Sequence, residues 1–478
     1  MPRKKVDVEE ACVFNSYVQP HVSFSRVDAV LKEAWTIAIE TLSWMDMRKL
    51  SEPLALSKTV KQLGIADRDA VRLVRVLVSE TVRRQNFIEA FVNNIMKPLR
   101  LDQLSLGVQA FLRLYVYQTR MARHWSGVNL REAEDIVKLG RSILGWKTLR
   151  PIELFLGTLL TQRPEVVYEQ KSDAARVAIN TFHPAWFVEY CFKLLGRREA
   201  IALLESEILP LPTYVRFNTF KAGQKEIAQR LDEDGVELEK ADNLAFTYEI
   251  KSARQPITKT ACFKEGLVCL QDKASSFVAE AANPSDGASI FDVCCAPGVL
   301  TASLAQLMEN DGRILSLDYS SRRMVSWKSA VTRFGVKIAE PVIADACSSL
   351  PFTEEADLIV LDPPCTGTGM FGKLPSSKWR LTQRSVDRMA DIQWTMLNKC
   401  SEYVKSGGNL VYTTLSITVE ENEMLIERFL RWHPDFALTG ISPKMGLSGL
   451  RGLDKCQRLY PHVHRCNGLF IAKLVKNG

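Results

Sequence analysis

Apolar residues recur at three- and four-residue spacing through residues 23–165, the pattern that predicts amphipathic helices. The segments that show it best are AWTIAIETLSWM, AVRLVRVLVSETVRR, FIEAFVNNIM and GVQAFLRLYVYQTRMARHW. Polar stretches such as KPLRLDQLS and GWKTLRP separate them, so the region is predicted to be a helical bundle. Its outward faces are predicted to carry basic side chains, as a solvated surface or an RNA-facing one: Arg72, Arg75, Arg83, Arg84, Arg120 and Arg123.

The pattern changes after residue 165. HPAWFVEYCFKLLG predicts one more amphipathic helix, and LPLPTYVRFNTFK predicts a linker followed by a strand. From Ser289 onwards, helical stretches alternate with short apolar strands: SIFDVC, RILSLD, EPVIAD, DLIVLD and NLVYTT. This alternation is typical of an α/β fold with a doubly wound, Rossmann-like parallel sheet. The predicted domains are a helical bundle at 1–165, a small α+β subdomain at 166–280 and the α/β domain at 281–478.

The composition narrows the class of protein without identifying a partner. A hydrophobic fraction of 46% supports well-formed cores, and 62 Lys and Arg against 55 Asp and Glu give a net charge of +7. This mild excess is compatible with a nucleic-acid partner but does not require one. The 11 cysteines form no CxxC pair, and there is no run of about 18 apolar residues. We therefore expect a cytoplasmic protein without a membrane span.

A metal site is not expected. Cys456, His462, His464 and Cys466 are close in sequence, but their spacing matches no familiar zinc pattern.

The ends of the predicted strands carry residues suited to a nucleoside ligand. Pro297–Gly298 allows a tight loop after the first strand, before a helix N-terminus. Asp318 ends the next strand, where an acid accepts hydrogen bonds from ribose hydroxyls, and Asp345 ends the third. Because there is no GxGxxG, a pyrophosphate cradle is not indicated. S-adenosylmethionine, a nucleoside cofactor without phosphates, fits this set best.

The fourth strand leads into LIVLDPPCTGTGMFG. Asp362 is followed by Pro363 and Pro364, which stiffen the turn and remove two backbone donors. The carboxylate and the exposed carbonyls then form a rigid set of hydrogen-bond acceptors, which matches a flat base with an amino group, such as cytosine or adenine. Cys365 follows, either as a thiol that touches the same base or as a small buried apolar residue.

At these residues the chain resembles the RsmB/NSUN family of S-adenosylmethionine-dependent RNA cytosine-5 methyltransferases. The resemblance covers about the last 220 residues, and it is carried by VCLQDKASS, DVCCAPG, LDPPCTGTG, KWRLT, VYTTLSITVEENE and HRCNGLFIAKL. The helical N-terminus, with HPAWF and VRFNT after it, resembles the NusB-like bundle and RNA-binding subdomain of the bacterial RsmB branch. The family's cofactor loop usually reads Pro-Gly-Gly-Lys-Thr, whereas this chain has Pro297-Gly298-Val299-Leu300-Thr301.

The resemblance implies roles for particular residues. It assigns the cofactor to Cys295, Ala296, Pro297, Gly298, Asp318, Arg323 and Asp345, and it places Asp362 beside both the cofactor amine and the target base. Candidates for RNA contact are Lys378, Trp379 and Arg380, with Arg216 and Asn218 in the preceding domain. Trp379 is expected either to stack on a base or to pack in the fold.

Leu415 is the main departure from the family. The family's nucleophile is the cysteine of a Thr-Cys-Ser triplet, and this chain reads Thr414-Leu415-Ser416. A thiolate must add to C6 of cytosine before C5 becomes nucleophilic, and leucine forms no such bond. We expect Leu415 to line the base pocket instead.

Three interpretations of the missing thiol remain open. In the favoured one the methyl acceptor is the exocyclic N4 amine of cytidine, which Asp362 and the proline carbonyls activate without a covalent adduct. In the second, Cys365 is the nucleophile of a C5 methyltransferase. In the third, the protein is a non-catalytic RNA-binding or ribosome-assembly factor. The target base is expected to be unpaired or flipped out, in ribosomal RNA more than transfer RNA, and the protein is expected to be a monomer.

Overall fold

A computed structural model describes residues 24–65, 67–122, 130–168, 171–348 and 350–478. The chain divides into two compact units, residues 1–169 and 170–478. In the first unit the described α-helices are α1 Phe24–Arg48, α2 Glu52–Leu63, α3 Arg68–Arg83, α4 Gln85–Ile95, α5 Leu106–Val116, α6 Leu130–Leu144 and α7 Trp146–Thr161. A π-helical turn, Tyr117–Met121, extends α5, and short 3-10 turns lie at Leu101–Gln103 and Pro164–Tyr168.

Local sequence signals set the helix ends of the first unit. The Asp67 carboxylate accepts hydrogen bonds from the amides of Asp69 and Ala70, at 2.8 and 3.1 Å, and so caps the start of α3. Helix α2 ends at Gly64, whose φ of 65° closes the helix in the left-handed conformation. The buried Arg113 pairs with Asp46 of α1 and Glu89 of α4, at 2.5 and 2.7 Å, and so joins three helices.

The predicted basic face is smaller than the sequence suggests. Arg72 and Arg75 are exposed on α3. Arg83 and Arg84 instead form ion pairs with Glu80. Arg120 donates to the carbonyl oxygens of Leu160 and Gln162, because carbonyls at the end of a helix have no partner within that helix. Arg123 lies outside the described residues.

The second unit begins with two helices and a small antiparallel sheet. Helix α9 bends at Gly196, where φ is 75°. The sheet has the strand order β2-β3-β1-β4. Its elements and the helices around it are α8 Asp173–Asn180, α9 Ala185–Ser206, β1 Thr213–Phe217, α10 Gln224–Glu233, β2 Val236–Lys240, β3 Thr247–Ala253, α11 Ala261–Lys264, β4 Val268–Leu270 and α12 Lys273–Ala282.

A nine-stranded sheet follows, in the order β11-β12-β13-β9-β8-β5-β6-β7, with β10 paired to β13. Strands β9, β8, β5, β6 and β7 are parallel neighbours, and β13 runs antiparallel to β9. The elements are β5 Ser289–Val293, α13 Val299–Leu307, β6 Arg313–Asp318, α14 Ser321–Phe334, β7 Ala339–Ile343, β8 Ala356–Leu361, α15 Ser376–Arg380, α16 Gln383–Ser401, β9 Val404–Thr414, α17 Glu423–Trp432, β10 Phe436–Leu438, β11 Leu447–Ser448, β12 Gln457–Leu459, α18 Pro461–His464 and β13 Leu469–Lys476.

The predicted fold class is confirmed: a helical N-terminal region precedes a Rossmann-like sheet. Both faces of the parallel strands are covered by apolar clusters, one containing Phe291 and Tyr412 and the other Ile290 and Val411. This burial on both faces explains why these strands read as continuous apolar runs in the sequence. No described helix is long and apolar enough to cross a membrane.

A buried ion pair connects α17 to β12. The Arg458 guanidinium donates to both carboxylate oxygens of Glu423, at 2.6 and 2.5 Å, and neither side chain is more than 1% exposed. Arg458 also donates to the carbonyl oxygen of Ile417 and to Tyr460. The pair therefore fixes the segment between Leu415 and α17 to strand β12.

We expect Arg458→Met to lower the free energy of unfolding by about 3–5 kcal/mol, because it leaves the Glu423 carboxylate buried without a cation. The measurement is urea unfolding of the full chain. The matched control is Arg451→Met, which removes a partly exposed pair with Glu427 and should cost less than about 1 kcal/mol. Equal losses in the two variants would contradict a special role for the buried pair.

Candidate active site

The loop after β5 forms a tight turn, residues 295–298. The Cys295 amide donates to the carbonyl oxygen of Leu317 at 3.0 Å, and the Gly298 amide donates to the carbonyl oxygen of Cys295 at 2.8 Å. Gly298 has a φ of 98°, and a Cβ placed there would lie 3.0 Å from Trp327 Cδ1. Glycine is required here because both the backbone conformation and the indole exclude a side chain.

A buried hydrogen-bond chain supports this loop from behind. Trp327 Nε1 donates to Thr301 Oγ1 at 3.0 Å, and Thr301 Oγ1 donates to the Asp292 carboxylate at 2.5 Å. Burial raises the pKa of Asp292 to about 7, and the charges of Asp362 and Asp318 act in the same direction. Sequence reasoning missed Asp292 and Trp327, although the acid inside the strand of DVCCAPG was a signal for the first of them.

Asp318 and Arg323 lie together beside the same loop. Asp318 is 1% exposed, accepts a hydrogen bond from the Ser320 amide at 3.0 Å, and pairs with the Arg323 guanidinium at 3.0 Å. Arg323 also donates to the carbonyl oxygen of Ala296. The guanidinium therefore links the loop after β5 to the acid at the end of β6.

Asp345 lies near these residues but is exposed. The amide of Ala344 donates to the carbonyl oxygen of Asp318 at 3.3 Å, which places the loop after β7 beside the end of β6. The Asp345 carboxylate accepts a hydrogen bond from the Cys347 amide at 2.9 Å and so stabilises its own turn.

Asp362 follows β8 and reaches the same edge of the sheet. Its amide donates to the carbonyl oxygen of Val293 at 3.3 Å, and the side chain is half-buried. Burial raises the pKa of Asp362 to about 7, while the charge of Arg323 acts in the opposite direction. Gln393 Nε2 donates to the Pro364 carbonyl at 2.9 Å, so this carbonyl already has a hydrogen-bond donor.

Cys365 and Leu415 are neighbours in space. Both side chains are half-buried, and the backbone amides of Leu415 and Gly367 donate towards the Cys365 thiol. Burial holds the pKa of this thiol well above its usual range, and the nearby Glu421 and Asp362 carboxylates raise it further. Leu415 therefore lies next to the loop that contains Asp362 and Cys365.

The predicted RNA-contact residues differ in how deeply they are buried and in what they contact. Trp379 is half-buried, and Lys378 is 1% exposed with its Nζ 5.1 Å from the Trp379 ring centre. Arg216 is buried and donates to Gln271 at 2.7 Å and to Gln306. Asn218 is buried and donates to two backbone carbonyls, those of Gly266 and Phe334. The side chains of Lys378, Arg216 and Asn218 are thus buried inside the second unit, and their contact with RNA stays a prediction.

The residues present fit an S-adenosylmethionine site. A buried acid at the end of β6 suits ribose hydroxyls, and the cluster of Asp292, Asp318 and Asp362 suits a cationic sulfonium. No group of three or more His, Cys, Asp or Glu side chains arranged to hold a metal ion occurs among the described residues. Fold and site together define an S-adenosylmethionine-dependent methyltransferase.

Comparison with known proteins agrees with this class. Residues 279–475 match the family model of the 16S rRNA methyltransferase RsmB/F. A Bacillus subtilis protein named "Probable ribosomal RNA small subunit methyltransferase B" is 28% identical over 453 residues, which are 92% of this chain and 98% of that protein. The human 28S rRNA (cytosine(4447)-C(5))-methyltransferase is 33% identical over 291 residues, which are 58% of this chain but only 36% of the human protein.

A solved structure covers nearly the whole chain. The crystal structure of PH0851 is 27% identical, with a TM-score of 0.78 over 93% of this chain and 99% of that one. Residues 279–475 therefore match an RsmB/F-type methyltransferase domain, and these relatives support the RsmB/NSUN family of S-adenosylmethionine-dependent RNA cytosine methyltransferases.

The charge of Asp362 should make cofactor affinity depend on pH. Asp362 is neutral below its pKa of about 7 and anionic above it, so a cationic sulfonium gains attraction as the pH rises and a neutral thioether does not. We expect the preference for S-adenosylmethionine over S-adenosylhomocysteine to rise at least about threefold from pH 6 to pH 8. Isothermal titration calorimetry measures both affinities. Asp362→Asn should abolish this dependence, and a dependence that persists in the variant would point to Asp292 instead.

Proposed function

We propose that this protein transfers a methyl group from S-adenosylmethionine to the exocyclic N4 amine of a cytidine in ribosomal RNA. The observation that carries the proposal is Leu415, which stands where the family has its nucleophilic cysteine, beside the base-facing loop Asp362–Cys365. The reaction class is that of the family, and the acceptor atom is what the proposal changes.

The covalent route to C5 lacks a suitable nucleophile at this site. Leu415 has no group that adds to C6 of cytosine. Cys365 is the nearest thiol to consider, but burial and the Glu421 and Asp362 carboxylates raise its pKa and keep it protonated. A thiol is a far weaker nucleophile than a thiolate, so Cys365 is poorly suited to start the C5 reaction.

Transfer to N4 needs no covalent adduct with the base. When bound, S-adenosylmethionine supplies an electrophilic methyl group on a sulfonium. The Asp362 carboxylate and the Pro363 carbonyl accept the two N4 hydrogens, which draws the nitrogen lone pair out of conjugation with the ring. The N–CH3 bond then forms as the S–CH3 bond breaks, and the proton lost from N4 passes to Asp362, leaving S-adenosylhomocysteine.

Transfer to C5 with Cys365 as nucleophile is the second candidate. The name of the human relative supports it, because that protein is a C(5)-methyltransferase. The residues around Cys365 weigh against it, since two carboxylates raise the pKa of its thiol. The two candidates predict different products from the same RNA.

Ribosomal RNA is the proposed substrate because the Bacillus subtilis relative, which matches 92% of this chain, is named for the small-subunit RNA. We propose that the helical residues 1–165 and the small domain at 166–280 bind RNA and that residues 281–478 carry the reaction, in a cytoplasmic monomer. Exposed Arg72 and Arg75 are the side chains of the predicted basic face that support an RNA contact. The target cytidine has to be unpaired or flipped out to reach Asp362.

The product identifies the acceptor atom. Purified protein is incubated with labelled S-adenosylmethionine and with small-subunit RNA, large-subunit RNA or transfer RNA, and the digested nucleosides are compared with standards by mass spectrometry. We expect N4-methylcytidine from ribosomal RNA. A 5-methylcytidine product would refute the N4 assignment, and labelling of transfer RNA alone would refute the proposed substrate.

Two substitutions separate the roles of Cys365 and Asp362. Cys365→Ala should keep kcat within about threefold of the unmodified protein, because no bond to sulfur is formed. Asp362→Ala should lower kcat at least about 100-fold, because an acceptor of the amine hydrogens is lost. Cofactor affinity, measured in parallel, separates weaker binding from slower transfer. Loss of activity in Cys365→Ala with 5-methylcytidine as the original product would support the second candidate.

A further inference from the structure

The Glu421 carboxylate is a buried hub of hydrogen bonds next to the site. Its side chain is 0% exposed. One oxygen accepts from the Thr366 amide at 2.8 Å and from Gln393 Nε2 at 2.9 Å. The other accepts from the hydroxyls of Ser416 at 2.6 Å, Thr418 at 2.7 Å and Thr366. Among the described residues no cation is paired with Glu421, so these neutral donors hold the carboxylate in place.

The donors come from two separate parts of the site. Thr366 directly follows Cys365, and Ser416 directly follows Leu415. Gln393, on α16, donates both to Glu421 and to the Pro364 carbonyl, so it strengthens the same link. The carboxylate therefore fastens the loop after β8 to the turn after β9.

The Glu421 carboxylate also affects the ionisation of the Cys365 thiol. The Glu421 and Asp362 carboxylates disfavour ionisation of the Cys365 thiol, and the amides of Gly367 and Leu415 favour it. The Tyr412 phenol also lies close enough to interact with this thiol. After burial, Glu421 makes the largest contribution to the raised pKa of Cys365. A buried anion has this effect because a second negative charge nearby is costly.

We propose that Glu421 is a positioning residue of the methyl transfer, whose carboxylate fixes the Asp362–Thr366 loop against the Leu415 turn. The inference rests on the proposed function, because a thiol at residue 365 favours transfer to the amine over attack on the ring. Glu421 itself touches neither the reacting atoms nor the cofactor in this account; it acts through the loop and through Cys365.

Glu421→Gln isolates the charge. The amide has nearly the same volume, its carbonyl oxygen accepts from the two N–H donors, and its NH2 group donates to two of the three hydroxyls, which then act as acceptors. Glu420→Gln is the matched control, because Glu420 is the adjacent glutamate and accepts instead from Tyr190 at 2.6 Å and Gln383 at 3.0 Å.

The test is alkylation of Cys365 by iodoacetamide in the full chain between pH 7 and pH 9, followed by peptide mass spectrometry. We expect Glu421→Gln to speed alkylation of Cys365 at least about fivefold and to move its pH profile towards lower pH, while Glu420→Gln stays within about twofold of the unmodified protein. Equal rates in the two variants overturn the proposal. The buried Cys400 reports on folding and should stay unreactive.

If Cys400 becomes reactive in Glu421→Gln, the variant has lost its fold and Gln393→Leu replaces it. That substitution removes the side chain that connects Glu421 to Pro364 but leaves the charge, and the loosened loop should speed alkylation of Cys365 at least about threefold with Cys400 still protected. An unchanged rate at Cys365 overturns the proposal.

The rate of methyl transfer provides an independent test of the positioning role. In Glu421→Gln we expect kcat to fall at least about tenfold with cofactor affinity unchanged, because the donors lose their charged acceptor and hold the loop less tightly. An unchanged kcat counts against the positioning role. If the unmodified protein makes no methylated nucleoside, the proposed function fails, while the alkylation result still decides the role of Glu421 because it needs neither RNA nor turnover.

Discussion

The parallel pairing of β5 with β6 on one side and with β8 on the other is the constraint on which the site depends. Val293 lies opposite both Leu317 and Leu361, so the chain leaves all three strands at one edge of the sheet. The loop at 295–298, Asp318 and Asp362 meet there because the carboxyl ends of parallel strands lie at the same edge of a sheet. The same crowding desolvates carboxylates, which is why the pKa values of Asp292 and Asp362 rise.

The protein stabilises its buried carboxylates in two different ways. Near the proposed cofactor site a cation does so, since Arg323 pairs with Asp318 and also holds the Ala296 carbonyl. Near the base-facing loop neutral donors do so, since five N–H and O–H groups surround Glu421. A cation beside Glu421 would also favour the Cys365 thiolate, whereas neutral donors leave the full negative charge to oppose it. The second arrangement therefore suits a site that does not use a thiolate.

Both departures from the family pattern are accommodated by packing. Leu300, in place of the family's lysine, packs against the apolar cluster that contains Phe277 and Leu304. Leu415 packs against the same cluster, and its carbonyl accepts the Gly369 amide at 3.0 Å. The fold thus accommodates both leucines within its apolar packing. With Leu300 in place of a lysine, the site lacks a cation that would stabilise an anion. With Leu415 in place of a cysteine, it lacks a group that could form one.

The fold class, and the sheet edge that carries the candidate site, can be predicted from the pattern of apolar and polar residues along the chain. RILSLD was predicted as a strand and is β6, Arg313–Asp318, because the alternation of apolar runs and helices is a local property of the chain. The adjacency of Asp318 and Asp362 follows from the topology that this alternation implies. Their assignment to the cofactor and the base, like the predicted domain boundaries, stays a prediction.

Only the tertiary structure decided which polar side chains face the site. Arg216 and Asn218 read as RNA contacts in the sequence, yet they are buried against Gln306 and Phe334, residues about 90 and 116 positions away. Glu421 belongs to the acidic stretch at residues 420–423, yet its hydrogen-bond partners come from residues 366, 393, 416 and 418. Burial and hydrogen bonding between distant segments leave no periodic signal in the chain, so they appear only once the strands are assembled.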